Sequence, residues 1–257
     1  MAHRTMQSAY DRLTDRLNRF PQGAPPSDLL FGILRLLFSE KEAEAVSLLP
    51  IKPFDASQAG RAWGRSPGEA KKLLDELASR ALLIDWEHEG QTIYSLPPPM
   101  AGFFEFSMMR LRSDLDQKAL AELFYQYLNV EEDFIKALFT KGETQLGRVF
   151  VQEAQLGPAL GEGAGEDLGL HVIDYERASQ VIQTASHIGV GLCYCRHKMR
   201  HLGRACEAPM EICMTFNSSA DSLTRHGHAR AIGVSECMGL LEKAYEHGLV
   251  QFGENVQ

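Results

Sequence analysis

Helical periodicity dominates the hydrophobic pattern in the first third of the chain. Ser27 and Asp28 offer capping side chains ahead of the apolar stretch LLFGILRLLFS. Further along, Ser66, Pro67 and Glu69 have the spacing of a capping box with proline at the first helical position, so a helix is predicted over EAKKLLDELASRALL. Leucines and alanines recur there at helical spacing, which gives this helix one apolar face.

The next segment, LLIDWEHEGQTIYSLPP, predicts a β-hairpin with Glu89-Gly90 as its turn. Helices closed by such a hairpin resemble a winged-helix domain, which we place at residues 27–99. Residues 1–26 are predicted to be a polar lead that ends in the breaker stretch Pro21 to Pro26.

Residues 100–155 predict a helical connecting region, with a cap at Ser113-Asp114 and acidic charge at Glu131 to Asp133 opening a second helix that ends at Gly142. Residues 156–169 hold five glycines and predict a linker or surface loop. Residues 170–257 predict a small α/β domain, in which IGVGL is a strand leading into Cys193. Helices capped by Asp174 and Ser235, the latter stopped by Gly248, frame it. The fold class is therefore α+β and mostly helical.

Composition and charge narrow the function. The 257 residues carry a net charge of −8, so general affinity for nucleic acid is not expected. The charged N-terminal stretch is unlike a secretory signal, and no apolar run reaches the roughly 18 residues of a membrane span. The sequence predicts a cytoplasmic protein, a compartment in which thiols stay reduced.

All five cysteines lie in the last quarter of the chain. Cys193, Cys195, Cys206 and Cys213 form a tight group with spacings of one, ten and six residues, and Cys237 follows. Thiolates in such a group favour zinc or an iron–sulfur cluster. The irregular spacing differs from the C-x2–4-C pairs of structural zinc and favours the cluster moderately, with Zn2+ as the alternative.

Basic residues fill the longest interval between these cysteines, which we expect to be a loop. Four thiolates around either centre leave excess negative charge, which nearby cations stabilise. The cations assigned to this role are Arg196, Lys198, Arg200 and Arg204, with His197 and His201 between them. Cations there also favour the reduced, more negative form of a cluster.

The run GLCYCRHKMRHLGRACEAPMEICMTF, followed by HARAIGVSECMGLLEKAYEHGLV, resembles a family of 4Fe–4S-binding, ferredoxin-type proteins of anaerobic microbes. The shared pattern is CxCR, then CxxPxxxCxxF, then a small helix ending in GLV. The resemblance implies that Cys193, Cys195, Cys206 and Cys213 bind a [4Fe–4S] cluster. Members often continue into further cysteine-rich segments, so the end at Gln257 indicates a shorter member or a truncated chain.

The leading hypothesis is a redox protein that passes single electrons to or from a partner protein and is not a stand-alone enzyme. The alternatives are a cluster-sensing winged-helix transcriptional regulator, a zinc-stabilised interaction module, and an enzyme that binds substrate at an open iron. Eight basic and eleven acidic residues between Asp28 and Tyr94 disfavour DNA contact. The winged-helix-like region is instead expected to bind proteins or to form a homodimer.

The remaining candidates have simpler interpretations. Cys237 is expected to be a small core residue. The pairs His197/His201 and His226/His228 could each bind a metal, although a supporting role beside the thiolates is favoured. The aromatic stretch FFEF at residues 103–106 is expected to belong to the core.

Overall fold

A computed structural model of the chain describes residues 2–20, 23–140, 147–150 and 178–254. It is a mixed α/β structure, 55% helical, with small antiparallel sheets, as the α+β prediction requires. The glycine-rich segment 156–169 and the predicted caps at Gly142 and Asp174 lie outside the described residues. In the described part of the chain, no helix is both long and apolar enough to cross a membrane.

Five helices and a three-stranded sheet form the first part of the chain. The helices are α1 (Ala2–Leu17), α2 (Asp28–Leu37), α3 (Glu40–Ser47), α4 (Ala56–Trp63) and α5 (Pro67–Ser79). The strands β1 (Phe54–Asp55), β2 (Ile84–His88) and β3 (Gln91–Ser95) are antiparallel in the order β1-β3-β2. The predicted caps at Ser27 and Ser66 are confirmed, the latter as a full capping box.

The predicted hairpin is also confirmed. Glu89 and Gly90 separate β2 from β3, and both have positive φ, 51° and 76°. Two consecutive residues with positive φ are typical of a type I′ turn, whose twist matches that of the paired strands.

Residues 1–26 are more than a polar lead. Tyr10, Leu13 and Leu17 on α1 are buried in a cluster that also contains Leu30, and its further members run from Ala9 to Phe134 and include Tyr194. Apolar residues are sparse in this helix but recur at helical spacing, so a search for continuous apolar runs overlooks them. One core thus takes side chains from four regions that the sequence separates, and the bounds at residues 26 and 99 stay predictions about chain organisation.

The middle of the chain is mostly helical, as predicted. It contains a π-helical turn (Pro99–Phe103), α6 (Phe104–Phe106), α7 (Gln117–Tyr125), a second π-helical turn (Gln126–Val130) and α8 (Glu132–Thr140). The predicted cap at Ser113-Asp114 is wrong: the side chain of Asp116 caps α7, while Asp114 binds Arg112. The strand β4 (Gly147–Phe150) was not predicted, because its partner comes from the far end of the sequence.

The last part of the chain builds a second three-stranded sheet. Its elements are α9 (Ala178–Thr184), β5 (Ile188–Leu192), α10 (Tyr194–His201), β6 (Glu211–Phe216), α11 (Asn217–Arg225), β7 (Arg230–Ala231), α12 (Val234–Glu246) and β8 (Gln251–Glu254). The antiparallel order is β6-β5-β7, and β8 pairs with β4. The predicted strand IGVGL is confirmed as β5. Helix α12 begins after Gly233, so the predicted cap at Ser235 is wrong.

Strand β5 lies very close to the segment that follows α6. The Leu192 N–H donates to the Met109 carbonyl oxygen at 2.9 Å. A Cβ atom at Gly191 would stand 2.8 Å from Met109 Cε and 3.1 Å from the carbonyl oxygens of both Met109 and His228. Only glycine permits this approach of two backbones.

A buried carboxylate ties the hairpin to helix α11. Asp85 on β2 accepts hydrogen bonds from Ser222 Oγ at 2.6 Å, Arg225 Nη1 at 3.0 Å and His226 Nε2 at 3.0 Å. Burial by itself raises the pKa of Asp85, but these three hydrogen bonds outweigh it and hold the pKa well below its usual range.

An apolar cluster continues the same interface. Its buried members come from the end of α5, strand β2, the α6 region and α11, with Cys213 packed against them: Ala81, Ile84, Phe106, Met109 and Leu223. A strand that carries one of the candidate ligands therefore packs on the hairpin of the N-terminal region.

Replacement of the buried carboxylate should destabilise the protein. Asp85→Asn leaves donors without a charged acceptor, and we expect a loss of about 2–4 kcal/mol in the free energy of unfolding at pH 7. Because the folded-state pKa is depressed, the stabilisation is fully present above about pH 4 and is lost as pH falls below it. Urea unfolding of both proteins should therefore show a difference that shrinks between about pH 5 and about pH 2.

Asp221→Asn is the matched control, since Asp221 binds the same Arg225 from a more exposed position. We expect it to cost less than about 1 kcal/mol. A difference between Asp85→Asn and the parent protein that does not change with pH would contradict the role of the ionised carboxylate.

Gly191→Ala should also destabilise the protein, because the new methyl group meets two carbonyl oxygens. We expect a loss of about 1–3 kcal/mol, measured by urea unfolding. Gly239→Ala is the control: its Cβ would meet nothing within 4 Å in α12, and alanine should stabilise that helix by up to about 1 kcal/mol. Equal effects at the two sites would show that the contact between β5 and Met109 is not tight.

Candidate functional site

The candidate site begins where strand β5 turns into helix α10. Cys193 occupies the N-cap position of α10 and is buried. Its N–H donates to the Met210 carbonyl oxygen at 2.6 Å, and its carbonyl oxygen accepts from the His197 N–H at 2.9 Å. Hydrogen bonds to Met210, in the loop before β6, and to His197, in α10, thus fix the backbone of Cys193.

Three of the four candidate cysteines are brought together. Cys213 lies on β6 and pairs with Gly191 on β5. A β-bulge follows between Gly191 and Leu192, and Cys193 is the first residue after β5. The thiols of Cys195 and Cys213 both lie close enough to the sulfur of Cys193 to shift its pKa by hydrogen bonding. Neighbouring strands therefore gather residues that are 20 positions apart in sequence.

Negative charge is favoured on one of the three sulfurs and disfavoured on the other two. Hydrogen bonds from Cys195 and Cys213 lower the pKa of Cys193 far below its usual range, with help from the N–H and the guanidinium of Arg196. The same hydrogen bonds raise the pKa of Cys195 and, together with burial, that of Cys213. Of the three sulfurs, Cys193 is therefore the one on which negative charge is most favoured, and the thiolate is the form that binds metals and reacts as a nucleophile.

Cys206 is not one of the groups that shift the pKa values of the other three cysteines. It is exposed on the loop between α10 and β6. Only four positions separate it from Met210, whose carbonyl oxygen binds the Cys193 N–H. At about 3.3–3.6 Å per extended residue, the Cα of Cys206 lies within about 14 Å of Met210.

The grouping of the thiols is looser than a metal centre. Within residues 2–20, 23–140, 147–150 and 178–254, no set of three or more His, Cys, Asp or Glu side chains is arranged to hold a metal ion. The donor chemistry nevertheless suits a soft centre, because hydrogen-bonded thiols and one thiolate meet at the end of a strand.

The basic interval between the cysteines is a helix and not the predicted loop. Residues Tyr194–His201 form α10, since arginine, lysine and methionine are good helix formers and Cys193 stands at the N-cap. The helix turns Arg196 and Lys198 into the protein and leaves Arg200 in solvent. Arg204 lies beyond the helix, where its Nη1 donates to the Tyr125 hydroxyl at 3.1 Å.

Lys198 is the most enclosed of the predicted cations. Its ammonium group donates to Asn129 Oδ1 at 2.6 Å and lies 5.6 Å from the centre of the Tyr194 ring. Burial lowers the pKa of Lys198, and the charge of Cys195 acts in the opposite direction. Of the four predicted cations, Arg196 and Lys198 thus act on the sulfur group.

Sequence reasoning missed an acidic residue beside the thiols. The stretch FFEF was assigned to the core, and Phe103, Phe104 and Phe106 are indeed buried. Glu105 between them is half-buried, and its charge contributes to the raised pKa of both Cys195 and Cys213. The sequence feature that could have indicated the role of Glu105 is its position as a carboxylate within an otherwise aromatic stretch.

The second histidine pair does not converge on a common point. His226 Nε2 lies 3.0 Å from Asp85 Oδ1, whereas His228 Nε2 donates to the Ser79 carbonyl oxygen at 2.9 Å. Burial lowers the pKa of His228 to about 4. Both histidines belong to the C-terminal region and contact residues of the N-terminal region.

Cys237 belongs to the core, as predicted. It is fully buried on α12 and its thiol lies 3.2 Å from Met214 Sδ. Burial raises the pKa of Cys237 to about 11, so this thiol stays protonated and unreactive at neutral pH.

A search of protein-family models, of curated proteins and of solved structures finds no match for this chain. The case for a function therefore rests on its residues and their geometry.

Proposed function

We propose that this protein binds a [4Fe–4S] cluster and passes single electrons to or from a partner protein. The observation that carries the proposal is the convergence of Cys193, Cys195 and Cys213 at the junction of β5, β6 and α10. In a compartment that keeps thiols reduced, which we take to be the cytoplasm, such a group serves a metal centre better than a disulfide.

Cys206 is proposed as the fourth ligand. Gly203, with φ of 66°, ends the helix side of its loop, and the loop returns to Cys193 at Met210. The Met210 end of the loop is thus anchored beside the sulfur group, whereas the Gly203 end lies at the far end of α10. A rearrangement confined to residues 203–209 would move Cys206 toward the other three without disturbing β5, β6 or α10.

The charges around the sulfur group, which comprises Cys193, Cys195 and Cys213, would stabilise a negatively charged cluster and set its reduction potential. The bound cluster would supply the one-electron chemistry. Arg196 and Lys198, together with the first N–H groups of α10, stabilise negative charge on the sulfurs. Glu105 opposes them and favours the less negative, oxidised state. The exposed Arg200 offers a contact for an acidic partner.

We further propose that residues 27–99 form a winged-helix domain that binds protein. The element order α3, β1, α4, α5, β2, β3, with sheet order β1-β3-β2, supports this. On α5, Lys71 is paired with Asp75 at 2.8 Å, and the hairpin strand β2 is covered by α11. Neither feature suits contact with phosphates. A homodimer through this domain remains part of the proposal.

Metal analysis tests the cluster directly. Protein purified without oxygen should contain about four iron and about four sulfide per chain and should be brown. Cys193→Ser should lose the iron, because it removes the thiolate that the other two thiols support. Cys206→Ser should retain part of it, since three thiols are already gathered, and Cys237→Ser should match the parent protein.

A colourless protein with one zinc per chain and no sulfide would overturn the cluster and identify a zinc module. Loss of iron from Cys237→Ser equal to that from Cys193→Ser would show that the variants act through folding.

A gel-shift assay tests the role of the N-terminal domain. At physiological salt we expect no sequence-specific DNA binding, because the paired lysine on α5 and the acidic net charge leave few free cations for phosphates. Tight, cluster-dependent binding to a specific sequence would favour a transcriptional regulator over an electron carrier.

A further inference from the structure

Two histidines on α10 face each other over one turn of the helix. His197 and His201 are four residues apart, and their Nε2 atoms lie 3.2 Å from each other. The ring centres are 4.9 Å apart, and the ring planes make an angle of 36°. Both Nε2 atoms therefore approach the same small region.

The orientation of His197 is held by the protein. Its Nδ1 lies 2.7 Å from the Met108 carbonyl oxygen. A carbonyl oxygen only accepts hydrogen bonds, so Nδ1 carries the proton and a neutral ring has its lone pair on Nε2. The ring is almost completely buried, 3% exposed, and cannot turn freely. A backbone carbonyl that orients the far nitrogen is the usual support of a metal-binding histidine.

We propose that His197 and His201 form a second metal site, separate from the cysteines, for a late first-row divalent cation such as Zn2+. Metal–nitrogen bonds of about 2.0–2.1 Å at tetrahedral or octahedral angles place two ligand nitrogens about 2.8–3.4 Å apart. The observed 3.2 Å lies in this range. Imidazole pairs suit zinc, copper and nickel.

Water completes the coordination of the cation. Among the described residues, no third His, Cys, Asp or Glu is placed to join the pair. His201 is partly exposed, so the cation enters from its side. Asp116 and Lys118 both act on His201 electrostatically and with opposite signs. The affinity should accordingly be moderate, and the site can exchange its metal.

The rival explanation is an ordinary hydrogen bond, in which the His201 Nε2–H donates to the His197 Nε2 lone pair. The two explanations place the nitrogens at similar distances but differ in whether a cation can replace the shared proton. Zinc binding separates them, and the result does not depend on what the cysteines hold.

The experiment uses the full chain purified without oxygen, with whatever the cysteines hold left in place. It is equilibrated with Zn2+, and bound zinc is counted. The parent protein should take up one more zinc per chain than before. His201→Gln should weaken this uptake at least tenfold, whereas His247→Gln, at an exposed position in the turn that follows α12, should not change it.

X-ray absorption at the zinc edge keeps the test independent of variant folding. The added zinc should show nitrogen or oxygen neighbours at about 2.0–2.1 Å and no sulfur at about 2.3 Å. Sulfur neighbours alone, or uptake that His201→Gln leaves unchanged, would overturn the site. Iron and sulfide content, measured on the same sample, reports separately on the proposed cluster.

Discussion

The close contact between strand β5 and the segment at Met108 and Met109 determines how the candidate site is assembled. Gly191 allows the two backbones to approach, and the hydrogen bond from Leu192 to Met109 connects them. The next residue along the chain is Cys193, so the position of the thiolate follows from this contact. The Met108 carbonyl oxygen, on the same segment, orients His197. One backbone segment thus supports both the sulfur group and the histidine pair.

The buried Asp85 network makes the same interface specific. Apolar packing between the hairpin and α11 is non-directional, so it does not by itself select one arrangement of the two elements. A carboxylate that accepts from Ser222, Arg225 and His226 permits only one arrangement of these elements. Because Cys213 packs against the same cluster, the geometry of the sulfur group is linked to that of the N-terminal region.

The electrostatics of the sulfur group combine opposing influences. The N-terminus of α10, Arg196 and Lys198 favour negative charge, whereas Glu105 disfavours it. Such a balance is compatible with the proposed one-electron centre. Two of the four cysteines, Cys195 and Cys206, are exposed, which would let the proposed centre be loaded after the chain has folded.

Neighbouring residues along the chain specify the local secondary structure and the set of side chains that could act as ligands. Capping residues predict the starts of α2 and α5, Glu89-Gly90 predicts the hairpin, and IGVGL predicts β5, because caps, turns and strand patterns depend on neighbouring residues. The sequence also singled out the four clustered cysteines and the core position of Cys237. The caps of α7 and α12 were misplaced by two or three positions, where several polar residues compete for the same role.

Long-range packing determines which of those residues meet. Cys193 and Cys213 come together through strand pairing, and Glu105 acts on Cys195 and Cys213 from about 90 and about 110 positions earlier in the sequence. The packing of α1 into the shared core and the pairing of β4 with β8 are likewise long-range. Local sequence carries no record of such contacts, because they depend on how separate elements pack and not on the propensities of either one.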